Sequence, residues 1–78
     1  MSEKKESKRY LFEIVVYRTS IYGEFEETKE ESKPLYTMAV SYKQAKNNIR
    51  HKYKFYNQIG INYRIEYDFM LLSQKEVV

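Results

Sequence analysis

The sequence predicts an α+β domain with a three-stranded, mainly antiparallel sheet and one helix packed on one face. Three observations lead to this fold class: two strand-like segments rich in β-branched and aromatic residues, a shorter apolar strand between them, and one segment with helical apolar spacing. The order along the chain is strand, strand, helix, strand, or ββαβ. A right-handed crossover through the helix then places the first strand in the centre, in sheet order 2-1-3.

The chain is long enough for one small domain. A sequence of 78 residues buries a single modest core, and its nine Tyr and four Phe can supply much of the apolar area. We assign this domain to residues 9–72. We expect a disordered tail at residues 1–8 and a loose tail at residues 73–78, because both ends offer little to bury.

The first predicted strand covers residues 10–18 and has apolar side chains on both faces. A strand of this kind is typical of the centre of a sheet, where both faces are covered. One face of the strand carries Tyr10, Phe12, Ile14 and Val16, and the other carries Leu11, Val15 and Tyr17.

An acidic turn and a second strand follow. Residues 19–33 contain Gly23 and five Glu, and we interpret them as a long turn or flared hairpin end. The second strand covers residues 35–40 and begins after Pro34, where a missing backbone donor is tolerated. The side chains expected to face the helix are those of Tyr36, Met38 and Val40.

The predicted helix begins at Ser41. Its hydroxyl can accept a hydrogen bond in the first helical turn, and Gln44 three residues later completes a capping-box pattern. Gly60 supplies the expected end of the helix, with Asn57 as a weaker candidate. At about 100° per residue, the residues expected to press on the sheet are Tyr42, Ala45, Ile49, Tyr53 and Tyr56.

The last predicted strand covers residues 61–71, where every odd position is apolar or aromatic. Tyr63 and Tyr67 lie on this face together with aliphatic residues, and such company favours a role in the core. The alternative is that these tyrosines stack on unpaired bases, as aromatic residues do on the sheets of some single-strand binders. The alternation changes at residues 68–72, where Met70 and Leu72 make the outer face apolar.

The helix carries the clearest functional signal. Residues 41–58 hold five positive charges and no acidic residue. Nucleic-acid backbones bind Lys and Arg through charge and counterion release, so this pattern predicts weak nucleic-acid binding. A solvated surface or an acidic protein partner are the alternatives. The candidate binding residues, which we call the cationic arc, are Lys43, Lys46, Asn47, Arg50 and Lys54.

The outer face of the predicted sheet has no second helix to cover it. An apolar patch of this kind favours a protein partner or a homodimer, unless the C-terminal tail folds back over it. A protein-interaction module acting through this face is therefore the alternative function. Its predicted interface residues are Leu11, Val15, Tyr17, Leu35, Met70 and Leu72.

The sequence contains no catalytic or cofactor-binding motif. With no Cys and one His, thiol catalysis and zinc sites built on Cys or several His are excluded. The acidic cluster of residues 24–31 lacks the spaced Asp, Asn and Gly of a calcium loop. His51 has no Ser or paired carboxylate placed to use it as a general base. We predict a non-enzymatic protein with no cofactor, metal or small-molecule substrate.

Composition favours a cytoplasmic location. The absence of Cys fits a reducing compartment, and no apolar run approaches the roughly 20 residues needed to span a bilayer. The first residues lack the apolar stretch of a signal peptide. We therefore expect a cytoplasmic protein that does not associate with membranes.

The segment that ends the second strand and opens the basic helix carries a resemblance. Residues 39–50, Ala-Val-Ser-Tyr-Lys-Gln-Ala-Lys-Asn-Asn-Ile-Arg, resemble small uncharacterised proteins of phages and mobile elements in AT-rich Gram-positive bacteria. The abundance of Lys, Asn, Tyr and Ile agrees with an AT-rich genome. The resemblance implies an accessory role and transfers no binding residue.

Overall fold

A computed structural model describes residues 8–77. Residues 1–7 of the tail predicted at residues 1–8, together with Val78, lie outside the described residues. The described part is an α+β structure with one helix and an antiparallel sheet, which confirms the predicted class. The sheet has five strands there, so the predicted three-stranded ββαβ arrangement is wrong. The elements are β1 (Arg9–Tyr22), β2 (Phe25–Glu30), β3 (Leu35–Ala39), α1 (Tyr42–Tyr53), β4 (Gln58–Ile59) and β5 (Tyr63–Val77).

β1 is the central strand, as predicted. Along one edge it pairs with β5 from Arg9 to Tyr22. Along the other edge it pairs first with β3 and then with β2, which lie end to end. The segment between them is fixed by a 2.7 Å hydrogen bond from the Glu31 N–H to the Val16 carbonyl. Backbone groups on both edges of β1 therefore have partners.

The core lies between α1 and the first half of β1. Small residues at the helix–sheet contact, Ala39 and Ala45, let the two layers approach closely. Tyr42 packs against this core, and its hydroxyl donates a 2.9 Å hydrogen bond to the Phe69 carbonyl. The buried side chains of the core are Phe12, Ile14, Val16, Ala39, Ala45 and Ile49.

For the second strand, the prediction of which side chains face the helix was wrong. Leu35 pairs with Ile14 and Ala39 pairs with Tyr10, so alternate residues starting at Leu35 face the helix. The side chains predicted to face the helix, Tyr36, Met38 and Val40, are exposed. A shift of one residue turns every side chain of a strand to the opposite face.

β5 begins later and ends later than the predicted third strand. Ile61 precedes it in a turn and is almost fully exposed. Residues 73–77 pair with the start of β1, so the predicted loose tail is wrong for this part, and these residues do not fold over the outer sheet face. Between Glu13 and Ile14 the register skips Leu72, a β-bulge at the point where the sequence alternation changes.

α1 ends at Lys54, earlier than predicted from Gly60 or Asn57. Lys54 has a left-handed backbone with φ 60°, and its N–H donates to the Arg50 carbonyl. The chain then turns, and the Phe55 ring packs 5.1 Å from the ring of Tyr67. The Asn57 side chain accepts a 2.9 Å hydrogen bond from the Tyr67 N–H, which holds the segment after the helix against β5.

The molecule is elongated because α1 covers only part of the sheet. Its extents are 56 × 25 × 17 Å and its radius of gyration is 15.9 Å, whereas a compact chain of this length has about 11.5 Å. The helix lies over the proximal half, where β3 pairs with β1. We call residues 17–30 and 58–68 the distal half; among them only Thr19 is buried.

Two isoleucines provide a matched test of this core. Ile49 is 1% exposed and Ile61 is 96% exposed. We expect Ile49→Val to lower the free energy of unfolding by about 1 kcal/mol, because it removes a buried methyl group. Ile61→Val should change it by less than about 0.5 kcal/mol. Urea denaturation followed by circular dichroism measures both, and equal effects would contradict the assigned core.

Candidate nucleic-acid interface

The start of α1 is fixed by side-chain hydrogen bonds. The Ser41 hydroxyl accepts a 3.1 Å hydrogen bond from the Gln44 N–H, which confirms the predicted cap. The Gln44 side chain in turn accepts a 2.9 Å hydrogen bond from the Val40 N–H. Both bonds tie the first helical turn to the end of β3.

The last turn of α1 contains basic side chains and no acidic ones. Arg50, His51 and Lys52 lie there, next to unpaired carbonyl groups that carry the negative end of the helix dipole. A lysine or arginine in this position, such as Arg50 or Lys52, stabilises an exposed helix by about 0.3–1 kcal/mol. His51 also forms a 2.7 Å hydrogen bond between its Nδ1 and the Tyr56 hydroxyl. Part of the positive charge therefore stabilises the helix end itself.

Aromatic rings position two members of the cationic arc. The Lys46 ammonium lies 4.7 Å from the centre of the Tyr42 ring. The Arg50 guanidinium lies 5.1 Å from the centre of the Phe69 ring on β5. Arg50 also donates a 2.7 Å hydrogen bond to the side-chain oxygen of Asn47. These contacts hold both cations on the flank of the helix that faces β5.

The other two cations of the arc are open to solvent. Lys43 lies in the first turn and Lys54 follows the last turn, and both are exposed. The fifth cation of the segment, Lys52, lies away from the arc, with its ammonium 5.5 Å from the centre of the Tyr53 ring. Lys43, Lys46 and Arg50 thus lie on α1, and aromatic rings fix the last two of them. Lys54 lies just past the end of the helix, where the backbone is left-handed.

The acidic residues among residues 8–77 form no ion pair with this arc. Four ion pairs form among residues 8–77, and none involves a residue of α1 or Lys54. Two of the five glutamates of the predicted acidic turn pair instead with nearby strand cations. Arg18 lies 3.6 Å from Glu31 and Lys29 lies 3.4 Å from Glu27. The positive potential of the helix flank is therefore not cancelled locally by described carboxylates.

Opposite charges lie on the other face of the sheet. In the distal half, alternate residues of β2 and β5 project to the face away from α1. They include one cation, Arg64, which forms a 3.0 Å ion pair with Glu66. The carboxylates that share this distal outer face are Glu26, Glu30, Glu66 and Asp68. The molecule therefore presents a basic helix side and an acidic outer side.

The predicted protein-interface residues are only partly brought together. Leu11, Tyr17 and Met70 lie on the outer face, and Leu72 is exposed at the bulge. Val15 is on this face but is buried, so it offers little contact area. The placement of Leu35 there was wrong, because it packs against the helix-side core. The residues that replace it on the outer face are Tyr36 and Met38.

A polar group interrupts this outer face. The Glu13 carboxylate accepts 3.0 Å hydrogen bonds from the Tyr36 and Ser73 hydroxyls, which join three neighbouring strands. Its hydrogen bond and negative charge raise the pKa of Tyr36 above its usual value of 10.0. Burial raises the pKa of Tyr42 in the core. The Tyr36 and Tyr42 side chains therefore stay neutral at physiological pH.

The sequence analysis missed an exposed apolar surface at the far end of the sheet. Two hairpin turns meet there, one at Gly23 and one at Gly60. A shallow depression of about 370 Å³ lies between them. The sequence predicts Gly60 as the end of the helix, and that interpretation leaves no second turn at this position. The large exposed side chains at this end are Tyr22, Phe25, Ile59, Ile61 and Tyr63.

Comparison of the chain with protein-family models, curated proteins and solved structures finds no match. Within residues 8–77, no helix has the length and apolar character needed to cross a membrane. The same residues contain no group of three or more His, Cys, Asp or Glu side chains that could hold a metal ion. The candidate site therefore rests on the geometry and charge of this chain.

Proposed function

We propose that this is a non-enzymatic accessory protein that binds the phosphate backbone of nucleic acid weakly through the cationic arc. The observation that carries the proposal is that the arc has no ion pair with any carboxylate among residues 8–77. An uncompensated row of cations attracts a polyanion and gains free energy from released counterions.

The geometry of the arc supports a short contact. From Lys43 to Lys54 the chain advances eleven residues, or about 16 Å along a helix axis. Arg50 and Lys46 are held against rings, so less side-chain freedom is lost when they meet a phosphate. A row of this length can meet only a few phosphates, and this limits the affinity to the weak range.

The charge distribution supports one direction of approach. The acidic distal outer face repels a polyanion, whereas the helix side attracts it. Nucleic acid should therefore approach from the side on which α1 packs. The proposal places the protein in the cytoplasm, in keeping with the Cys-free composition. The resemblance to phage and mobile-element proteins remains a prediction.

A titration at two salt concentrations tests the proposal. With four cationic contacts, affinity for a labelled oligonucleotide should fall about 50- to 150-fold between 50 and 200 mM salt. The double variant Lys43→Glu/Lys54→Glu should weaken binding at low salt by at least about tenfold. Fluorescence anisotropy measures both effects.

The matched control changes the same charge elsewhere. Lys33→Glu/Lys75→Glu alters two exposed lysines outside α1, and it should weaken binding much less than the helix variant. Equal losses for the two variants would show that net charge, rather than the arc, drives binding. No binding at low salt, or an affinity that ignores salt, would reject the proposal.

The second candidate function is protein interaction or homodimer formation through the outer sheet face. The observation in its favour is that the proximal part of this face exposes four large apolar or aromatic side chains. These residues are Tyr36, Met38, Met70 and Leu72. Exposed apolar clusters on small proteins often mark contact surfaces.

Sedimentation equilibrium tests the homodimer form of this candidate. It predicts that the wild-type protein is a dimer and that Met70→Lys is a monomer, because the lysine places a charge inside the contact. Ile61→Lys, at the far end of the sheet, is the control and should leave the dimer intact. A monomeric wild type at all accessible concentrations removes this form of the candidate.

A further inference from the structure

Three aromatic side chains form a row across the distal half of the sheet. Tyr22 pairs with Tyr63 on one neighbouring strand and with Phe25 on the other. All three therefore lie on the same face, which is the face that carries α1. The Tyr22 and Tyr63 rings are stacked, with centres 6.0 Å apart and planes at 26°. We call these residues the aromatic row.

The aromatic row is uncovered in the described part of the protein. Tyr63 is 39% exposed, Tyr22 is 50% exposed and Phe25 is 59% exposed. Helix α1 covers the proximal half and leaves this end of the same face open. Stacking between two of the rings stabilises the bare sheet to some extent. It does not account for Phe25, which remains the most exposed of the three.

The backbone around Gly60 seats the Tyr63 ring. A β-carbon at Gly60 would collide with the ring atoms of Tyr63, so the ring lies directly on the glycine backbone. The Gly60 N–H also donates a 2.8 Å hydrogen bond to the Tyr63 carbonyl, which closes this turn. Tyr63 is held between Gly60 and Tyr22, so part of the row is fixed before any ligand arrives.

The aromatic row and the cationic arc lie on the same side of the molecule. Phe55, which follows Lys54, packs against Tyr67 on β5. Tyr63 lies four residues before Tyr67, at the start of this strand, a distance of about 13 Å. Two strand cations, Arg18 and Lys29, and one carboxylate, that of Glu27, occur on this side between the two features. A flexible strand of phosphates can therefore reach from the helix to the rings.

From this placement we propose that the ligand is single-stranded nucleic acid, with unpaired bases stacked on the aromatic row and the backbone running along the cationic arc. The inference rests on the proposed function and specifies its ligand. Bases in a duplex already stack on their neighbours, so only unpaired bases can offer their faces to protein rings. Stacking on rings is tolerant of sequence, because every base has a π-face.

Charge favours nucleic acid over an apolar protein partner on this surface. A protein partner would need to cover the rings without placing its own cations near the positively charged helix flank, where they would be repelled. A single strand satisfies both features with one molecule: its phosphates meet Lys43, Arg50 and Lys54, and its bases meet the rings. Ion pairs within the sheet partly neutralise Arg18 and Lys29. The arc therefore supplies most of the attraction, and the row supplies the preference for unpaired bases.

The decisive experiment uses a fluorescent residue in the row. The chain has no Trp, so Phe25→Trp creates a single reporter at the most exposed ring. A single-stranded oligothymidylate of about 12 nucleotides should quench this reporter and bind more tightly than a duplex of the same length. An abasic strand with the same phosphates should bind through the arc with little quenching.

A matched pair of variants separates stacking from general surface effects. Phe25→Ala should lower the affinity for the single strand roughly 5- to 100-fold and leave affinity for the duplex unchanged. Tyr36→Ala is the control, because Tyr36 is 58% exposed on the opposite face of the sheet. It should leave both affinities unchanged. Circular dichroism melting curves confirm that each variant is folded.

The outcomes distinguish this inference from the proposed function. One outcome is salt-dependent binding that Lys43→Glu/Lys54→Glu abolishes, that Phe25→Ala leaves unchanged and that does not quench the Trp reporter. This result would show that the aromatic row does not bind the ligand, while binding of the phosphate backbone would still stand. Equal affinity for the single strand, the duplex and the abasic strand would lead to the same conclusion, because unpaired bases would then add nothing to binding. Absence of binding to any of the three at low salt overturns both. If the protein sediments as a dimer and Phe25→Ala disrupts that dimer, the aromatic row is instead a contact with a second copy of the chain.

Discussion

The length of α1 limits how much of the sheet this protein can cover. Twelve helical residues span about 18 Å, whereas the fourteen residues of β1 span about 46 Å. A single helix of this size can bury the apolar face of less than half of the central strand. Phe12, Ile14 and Val16 lie under it and are fully buried. The rest of the sheet extends beyond the core and must be stabilised by strand pairing and local contacts.

This division of the sheet connects packing with function. In the proximal half, the aromatic rings that border the core also hold cations, as Phe69 does for Arg50 and Tyr42 does for Lys46. In the distal half, aromatic rings on the same side have no helix above them. A single architectural cause, a short helix on a long sheet, thus places positive charge and open rings along one side of an elongated molecule.

The sequence predicted those parts of the fold whose residue patterns are compatible with one structure only. The two faces of β1 and its central position follow from an apolar run with clear alternation. Ser41 as the helix cap follows from the chemistry of its hydroxyl. The facing of β3 could not be predicted in this way, because both of its faces carry apolar residues. Tyr36 and Met38 are larger than Thr37 and Ala39, yet a helix packs more closely over the small residues.

Other errors came from turn chemistry and long-range pairing. A glycine was expected to end the helix, but Lys54 adopts the left-handed conformation and leaves Gly60 for a hairpin turn. Residues 73–77 look polar in isolation, and only pairing with the start of β1 makes them a strand. For the candidate site, the helical period places Lys43, Lys46 and Arg50 along α1, whereas Lys54 falls beyond the end of the helix. Tyr63 was an alternative candidate for base stacking, but its alignment with Tyr22 and Phe25 could not be predicted, because it depends on the register between three strands.

Amide hydrogen exchange along β1, measured residue by residue in dilute protein, tests most directly whether the helix covers only the proximal half. The amides of Phe12–Val16 should exchange at least about tenfold more slowly than those of Thr19–Tyr22, because the distal half can open without disturbing the core. Uniform protection from Phe12 to Tyr22 would contradict this expectation. That result would mean that the distal half is packed in solution and that its rings are not open to a ligand.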